Sequence, residues 1–156
     1  LTGTSVVCSG TIDVSGGSVT TTGTAQAGDA GLITITTPSF SGSGTLRAAG
    51  GTAFPDAALS VATAGQGGTV TINASSAATI DVRGGDASGT STSNGGDGGS
   101  VLVTGNNSGP IDATGGTATG GTATPGSGGD VQIDGTNSAC VQAQSIVPAD
   151  LPNFCS

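Results

Sequence analysis

The stretch Thr79-Ile80-Asp81-Val82-Arg83-Gly84-Gly85 decides how this chain folds, because it recurs. It returns as Thr11-Ile12-Asp13-Val14-Ser15-Gly16-Gly17, as Thr45-Leu46-Arg47-Ala48-Ala49-Gly50-Gly51 and as Pro110-Ile111-Asp112-Ala113-Thr114-Gly115-Gly116, at successive spacings of 34, 34 and 31 residues. A second unit alternates with the first. Gly31-Leu32-Ile33-Thr34-Ile35 matches Gly68-Thr69-Val70-Thr71-Ile72, Gly99-Ser100-Val101-Leu102-Val103 and Gly129-Asp130-Val131-Gln132-Ile133, at spacings of 37, 31 and 30 residues. Self-similarity at such periods marks a stacked repeat architecture. Both units alternate apolar and polar residues, the mark of a half-buried strand. A third short segment follows each Gly-Gly pair: Ser18-Val19, Thr52-Ala53, Asp86-Ala87 and Thr117-Ala118.

One repeat cannot bury its own apolar face, but stacked repeats can, each strand pairing with its copy one coil later. The inward residues then form columns. One runs Ile33, Val70, Val101, Val131 and the next Ile35, Ile72, Val103, Ile133. Others run Ile12, Leu46, Ile80, Ile111, then Val14, Ala48, Val82, Ala113, then Val19, Ala53, Ala87, Ala118. The expected fold is all-β: a parallel β-helix of 4–5 coils of 30–37 residues. The pairs Gly16-Gly17, Gly50-Gly51, Gly84-Gly85 and Gly115-Gly116 are expected to turn corners, where positive φ is needed and a Cβ would clash. Ser88 to Gly98 and Thr119 to Gly128, rich in Gly, Ser and Thr, are expected as loops. Cys8 precedes Ile12 by only 4 residues, whereas Ile72 and Val103 precede Ile80 and Ile111 by 8. Either that turn is shorter, or Val6, Val7 and Cys8 stand outside these columns. The second repeat carries three extra residues near Pro38 to Ser41 and a longer apolar loop, Phe54 to Gly65. Phe54, Leu59 and Val61 are expected to cover part of the solenoid surface.

The pattern Gly-Gly-x-Val-x-Ile followed by Ile-Asp-Val-x-Gly-Gly resembles the glycine-rich right-handed parallel β-helix repeats of large bacterial surface proteins, the filamentous-haemagglutinin-like exoproteins and adhesin stalks. The resemblance spans about residues 5 to 135. With the general preference for right-handed crossovers, it implies a right-handed helix. It implies a structural role at the cell surface or outside the cell, in a fibre, filament or stalk. A chain of about five coils is then a fragment of something longer or a subunit that stacks on itself.

Composition removes most chemistry. The chain has 156 residues, no His, Trp, Tyr, Met, Lys or Glu, and a net charge of −8 from ten Asp against Arg47 and Arg83. Without His there is no Ser/His/Asp or Cys/His catalysis, so no enzyme is expected. Two Arg make no phosphate footprint, so nucleic acid is excluded as a partner. No apolar run reaches the length of a membrane span. Gly is 31 of 156 residues, about three times the usual share, which suits backbone packed against backbone. The chain opens on Leu1 rather than Met, as a mature or excised segment would.

Residues 1–135 carry the repeats, and 136–156 differ in composition and read as a C-terminal cap over the last rung. Cys140 and Cys155 are expected to close that cap as a disulfide, implying an oxidising compartment. Cys8 is left over, either a small buried hydrophobe or a thiol for an intermolecular bond. No corresponding cap precedes the first rung, which points to that end docking on a further coil or on a second copy.

Asp13, Asp81 and Asp112 fall in one outward column with Arg47 between the first two. Adjacent carboxylates of this kind are the raw material of glycosidases, but a solvated strand face explains them as well, and no aromatic platform accompanies them. Asp29, Asp97 and Asp130 lie in Gly-rich turns. Ca²⁺ is the alternative to plain turn Asp there, and no other cofactor is implied. Thr34-Ile35-Thr36, Thr69-Val70-Thr71, Thr117-Ala118-Thr119 and Thr122-Ala123-Thr124 suggest a flat Thr/Ser/Asn face for ice or glycan. The column holding Thr34 and Thr71, however, continues with Leu102 and Gln132.

Overall fold

Alternating residues become short strands stacked coil upon coil. A computed structural model describes residues 1–56 and 60–147, and among these there is no helix. The first coil holds β1 (Val6–Val7), β2 (Thr11–Asp13), β3 (Thr24–Gln26) and β4 (Leu32–Ile35). The second holds β5 (Phe40–Ser41), β6 (Thr45–Arg47), β7 (Val61–Thr63) and β8 (Thr69–Ile72). The third holds β9 (Thr79–Asp81), β10 (Ala87–Asn94) and β11 (Ser100–Val103), and the fourth β12 (Ile111–Asp112), β13 (Ala118–Thr124) and β14 (Asp130–Ile133). A last, shorter pass supplies β15 (Val141–Gln142) and β16 (Ser145–Val147).

Three long parallel sheets result, ordered β2-β6-β9-β12-β15, β3-β7-β10-β13 and β4-β8-β11-β14-β16, beside a two-stranded sheet of β1 and β5. The protein is thus a parallel β-solenoid of about four turns. Ile33, Val70, Val101 and Val131 stand in register, as do Ile35, Ile72, Val103 and Ile133, and Ile12, Leu46, Ile80 and Ile111. The first and third sheets face each other over these residues, which from the second coil onward are almost wholly buried. Each buried Val, Ile or Leu contributes about 1.5–3 kcal/mol.

The cross-section is pinched into two lobes. Within one coil, the chain leaving the first sheet meets the chain entering the third and bonds to it through the backbone. Gly31 N donates to Val14 O, Gly68 N to Ala48 O, Gly99 N to Val82 O and Gly129 N to Ala113 O. Beside this seam, the carbonyls of Gly17, Gly28, Gly51, Gly65, Gly85, Gly96 and Gly116 each accept from the next glycine of the series, which ends at Gly126 N, at 2.8–3.0 Å. The series crosses from one wall to the other at every step and climbs the full stack. A Cβ on Gly16, Gly50, Gly84 or Gly115 would collide with the carbonyl of Gly28, Gly65, Gly96 or Gly126, and one on Gly51, Gly85 or Gly116 with the glycine one coil below. The first four therefore serve contact between the walls and the other three contact between coils, rather than corners. Positive φ occurs elsewhere, at Gly23, Gly42 and Gly120.

The second lobe lies beyond this waist, between the column Val19, Ala53, Ala87, Ala118 and the second sheet. Its interior is almost entirely alanine: Ala25, Ala27, Ala53, Ala62, Ala64 and Ala87. The stretches expected as Gly/Ser loops contain β10 and β13 instead. Small inward residues let these strands approach closely, and the backbone ladder holds them where no hydrophobic pattern announces it. Val61, expected as a surface cover, opens β7 and is half-buried, while Phe54 is 42% exposed. Leu59 lies outside the described residues.

One further expectation changes. Register continues past residue 135, because Asn137 pairs with Asn107, Val141 with Ile111 and Ile146 with Val131. The segment after Gly135 therefore begins as a fifth rung in two of the sheets. Cys8 is the free cysteine of the described residues, and it is buried. Cys140 is half-buried and not free, but Cys155 lies outside the described residues, so no closed cap is described.

Candidate functional site

Both arginines and three of the ten aspartates gather on the outer face of the first sheet. Asp13, Arg47, Asp81 and Asp112 stand one above another in register. Arg47 bridges Asp13 at 3.4 Å and Asp81 at 3.3 Å. Arg83, two residues past β9 rather than on a strand, bridges Asp81 at 2.9 Å and Asp112 at 3.5 Å. Both cations of the chain are thus committed to one ladder. Burial pushes the Asp81 carboxyl up, but hydrogen bonds from Arg83 and then Arg47 outweigh it, and its pKa falls below the ordinary value. A hydrogen bond from Ser15, helped by Arg47, lowers Asp13. The hydrogen bond to Asp81 raises Arg83. Such carboxylates hold no proton to give near neutrality, and a general acid needs one.

Of the aspartates expected in turns, Asp130 instead opens β14, while Asp29 and Asp97, with Asp86, act on the backbone. Asp29 accepts from Gln66 N at 2.8 Å, Asp97 from Ser127 N at 2.8 Å and Asp86 from Thr117 N at 2.7 Å. Each ties one coil to the next. Among the described residues, no three His, Cys, Asp or Glu side chains are grouped as metal ligands.

The corner between the third and first sheets carries a polar column. Ser76, Asn107 and Asn137 stand in register and are buried. Asn107 Nδ2 donates to Asn137 Oδ1 at 2.9 Å and to Gly109 O at 2.7 Å. Asn107 Oδ1, on the same buried side chain, has no partner. Cys8 N donates to Ser41 O, which sets Cys8 beside Gly42. Val6 and Val7 pair with Phe40 and Ser41 in a small sheet of their own, apart from the main columns. The short interval from Cys8 to Ile12 is then ordinary, since Ser76, Asn107 and Asn137 precede Ile80, Ile111 and Val141 by the same four residues. The sequence reading missed this column, and that constant offset is the signal that could have found it.

The outer face of the second sheet gathers hydroxyl and amide residues. Thr24, Val61, Thr92 and Thr122 form one column, and Gln26, Thr63, Asn94 and Thr124 the next. Thr117 and Thr119 belong to this lobe, whereas Thr34, Thr71, Leu102 and Gln132 form the interrupted column of the third sheet.

The two ends of the stack differ. At the first rung, Val6, Ile12 and Val14 are only partly buried. In later coils Thr45 and Thr79 donate their N–H groups back to Gly10 and Gly44, and Thr69 and Ser100 donate back to Gly31 and Gly68. The equivalent residues of the first rung, Thr11 and Leu32, face no coil among the described residues. At the other end, Val141 and Ile146 of the last rung are buried. That rung omits the second lobe: Gln144 and Ser145 donate to Gly129 O and lead straight from β15 into β16. Among the described residues, β13 is left as the last strand of its sheet. Ala123, in register with buried Ser93 and in line with buried Ala25 and Ala62, is exposed. No protein-family model, curated protein or solved structure matches the chain.

Proposed function

We propose that this protein is a non-catalytic structural element of the cell surface or extracellular space, a rigid segment of a fibre, filament or adhesin stalk joined end to end through β-helix rungs. One observation supports it above all: the first rung offers a further coil the positions through which internal coils bond, and it leaves its core partly uncovered. Right-handed winding follows from the general chirality of crossover connections. The composition suits exposure. Lys is absent, the two Arg are ion-paired, and oxidisable Met, Trp and Tyr are missing. Negative charge favours solubility. A Cys140–Cys155 disulfide closing the tail belongs to the same proposal, and intact-protein mass before and after reduction tests it.

The experiment for the function is negative-stain electron microscopy of native, non-denatured material. Fibres or stalks carrying this chain are the expected result. Discrete particles with no filament would overturn it.

The alternative is a surface-binding module for ice or glycan, favoured by the in-register Thr, Asn and Gln columns of the second sheet. Thermal hysteresis, or glycan-array signal from purified monomer that is lost in Thr92→Tyr with Thr122→Tyr, would establish it. The ladder of Asp13, Asp81 and Asp112 supports no hydrolase, and an activity abolished by Asp81→Asn would reverse that conclusion.

A further inference from the structure

The two ends of this solenoid are built for different fates. Three features at the first rung invite continuation. Thr11 and Leu32 occupy positions whose later counterparts, Thr45, Thr79, Thr69 and Ser100, all bond back to a preceding coil. Ile12 and Val14 are partly open, whereas Leu46, Ala48, Ile80 and Val82, their counterparts in the next coils, are fully buried. No proline stands on β2, β3 or β4.

The opposite end shows the reverse. Ala27 N, Ala64 N and Gly95 N each donate forward to the next coil, to Thr63, Asn94 and Thr124. The next residue of that column is Pro125, which has no N–H to give. A proline on an edge is a standard guard against further pairing. The last rung also skips the second lobe, so the first and third sheets stand one rung ahead of the second. A copy of this chain approaching that end would meet a step, because its own first rung is complete in all three sheets. Docked on β15 and β16, it would leave a strand-wide gap above β13. Docked on β13, its first and third sheets would clash with the last rung.

We infer that the solenoid is polar: its first-rung end docks a complete rung of the same cross-section with parallel strands, and its Pro125 end terminates pairing in the second sheet. The partner is a β-solenoid coil with small residues opposite Ala25 and aliphatic ones opposite Ile12 and Ile33. The docking does not rest on the proposed structural role.

The test prepends one coil to the full chain. A copy of residues 73–102 placed directly before Leu1 puts Leu1 where Val103 follows Leu102, in the register set by Thr2 pairing with Thr36. A single coil has no fold of its own, so any order it gains comes from docking. The expected result is that amide exchange at Thr11, Asp13 and Leu32 slows by about tenfold or more, and that the thermal midpoint rises. The unmodified chain is expected to sediment without forming long polymers. Unchanged exchange at Thr11 and Leu32 would overturn the docking half. Fibres of the unmodified purified chain, with an axial repeat near 24 Å from five rungs of about 4.8 Å, would overturn the terminating half. Native material without filaments would instead remove the fibre role and leave both halves standing.

Discussion

The two lobes of each coil fill their interiors by opposite means. The main lobe packs Ile, Leu and Val from facing sheets into continuous columns. The second lobe packs alanine, and Ser60 and Ser93 are buried with it. Ser93 Oγ donates to Thr119 O at 2.6 Å, and Ser60 and Thr90 exchange backbone-to-hydroxyl bonds at 3.0 and 3.1 Å. One lobe is stabilised chiefly by apolar area, the other chiefly by its ladders. The glycine waist lets both coexist on one chain, since it closes each lobe without side chains.

That contrast can be broken most severely at the waist. Gly85→Ala places a Cβ against Gly51 O, on backbone bonded on both sides. We expect a loss of about 4 kcal/mol or more, in the exceptional range for a single substitution, seen as loss of the cooperative thermal transition by circular dichroism. Leu46→Ala in the main lobe is expected to cost about 2–5 kcal/mol through the cavity it leaves, read as a lowered urea midpoint. In the second lobe, Ala62→Asp buries an unpaired charge and is expected to cost several kcal/mol. Ala123→Asp, in the same column but exposed, is expected to stay within about 0.5 kcal/mol. Equal losses for the two Asp variants would mean that the second lobe is covered at β13 after all.

Smaller effects sharpen the picture. Ser76→Asn extends the column of Asn107 and Asn137 and offers an N–H to Asn107 Oδ1. A gain of about 0.5–1.5 kcal/mol is expected, and a thermal midpoint that does not rise would show that this atom is already satisfied. The smallest effect concerns the charged ladder. The lowered pKa values of Asp81 and Asp13 contribute stability that is present above the usual carboxylate value near 3.9, and that is lost as pH falls through the lower folded values. Unfolding midpoints should hold from neutral pH to about 5 and decline below about 4. Arg47→Gln should weaken that acid dependence while costing about 1 kcal/mol or less at neutral pH.

Much of the main lobe was legible because period two and apolarity coincide there. Ile33, Val70, Val101 and Val131 announce their own register. The second lobe hid because alanine, serine and glycine carry no such contrast. β13, Ala-Thr-Gly-Gly-Thr-Ala-Thr, reads as a linker until its partner β10 is in place. The glycine pairs were noticed but assigned to corners, since a sequence shows that a side chain is missing and not which backbone fills the space. The outward alignment of Asp13, Arg47, Asp81 and Asp112 followed from the repeat spacing. The part played by Arg83 did not, since it lies beyond its strand and reaches back to Asp81.

The glycine waist has a consequence for how such a molecule changes length. Each of its interior glycines makes one bond within its own coil and one to a neighbouring coil, so no coil depends on its rank in the stack. A stretch of some thirty residues between equivalent glycines can be duplicated or deleted and the bonds close again in the same pattern. Gain or loss of such a stretch therefore lengthens or shortens the rod a turn at a time, while the step at Ala123 and Pro125 is inherited unchanged.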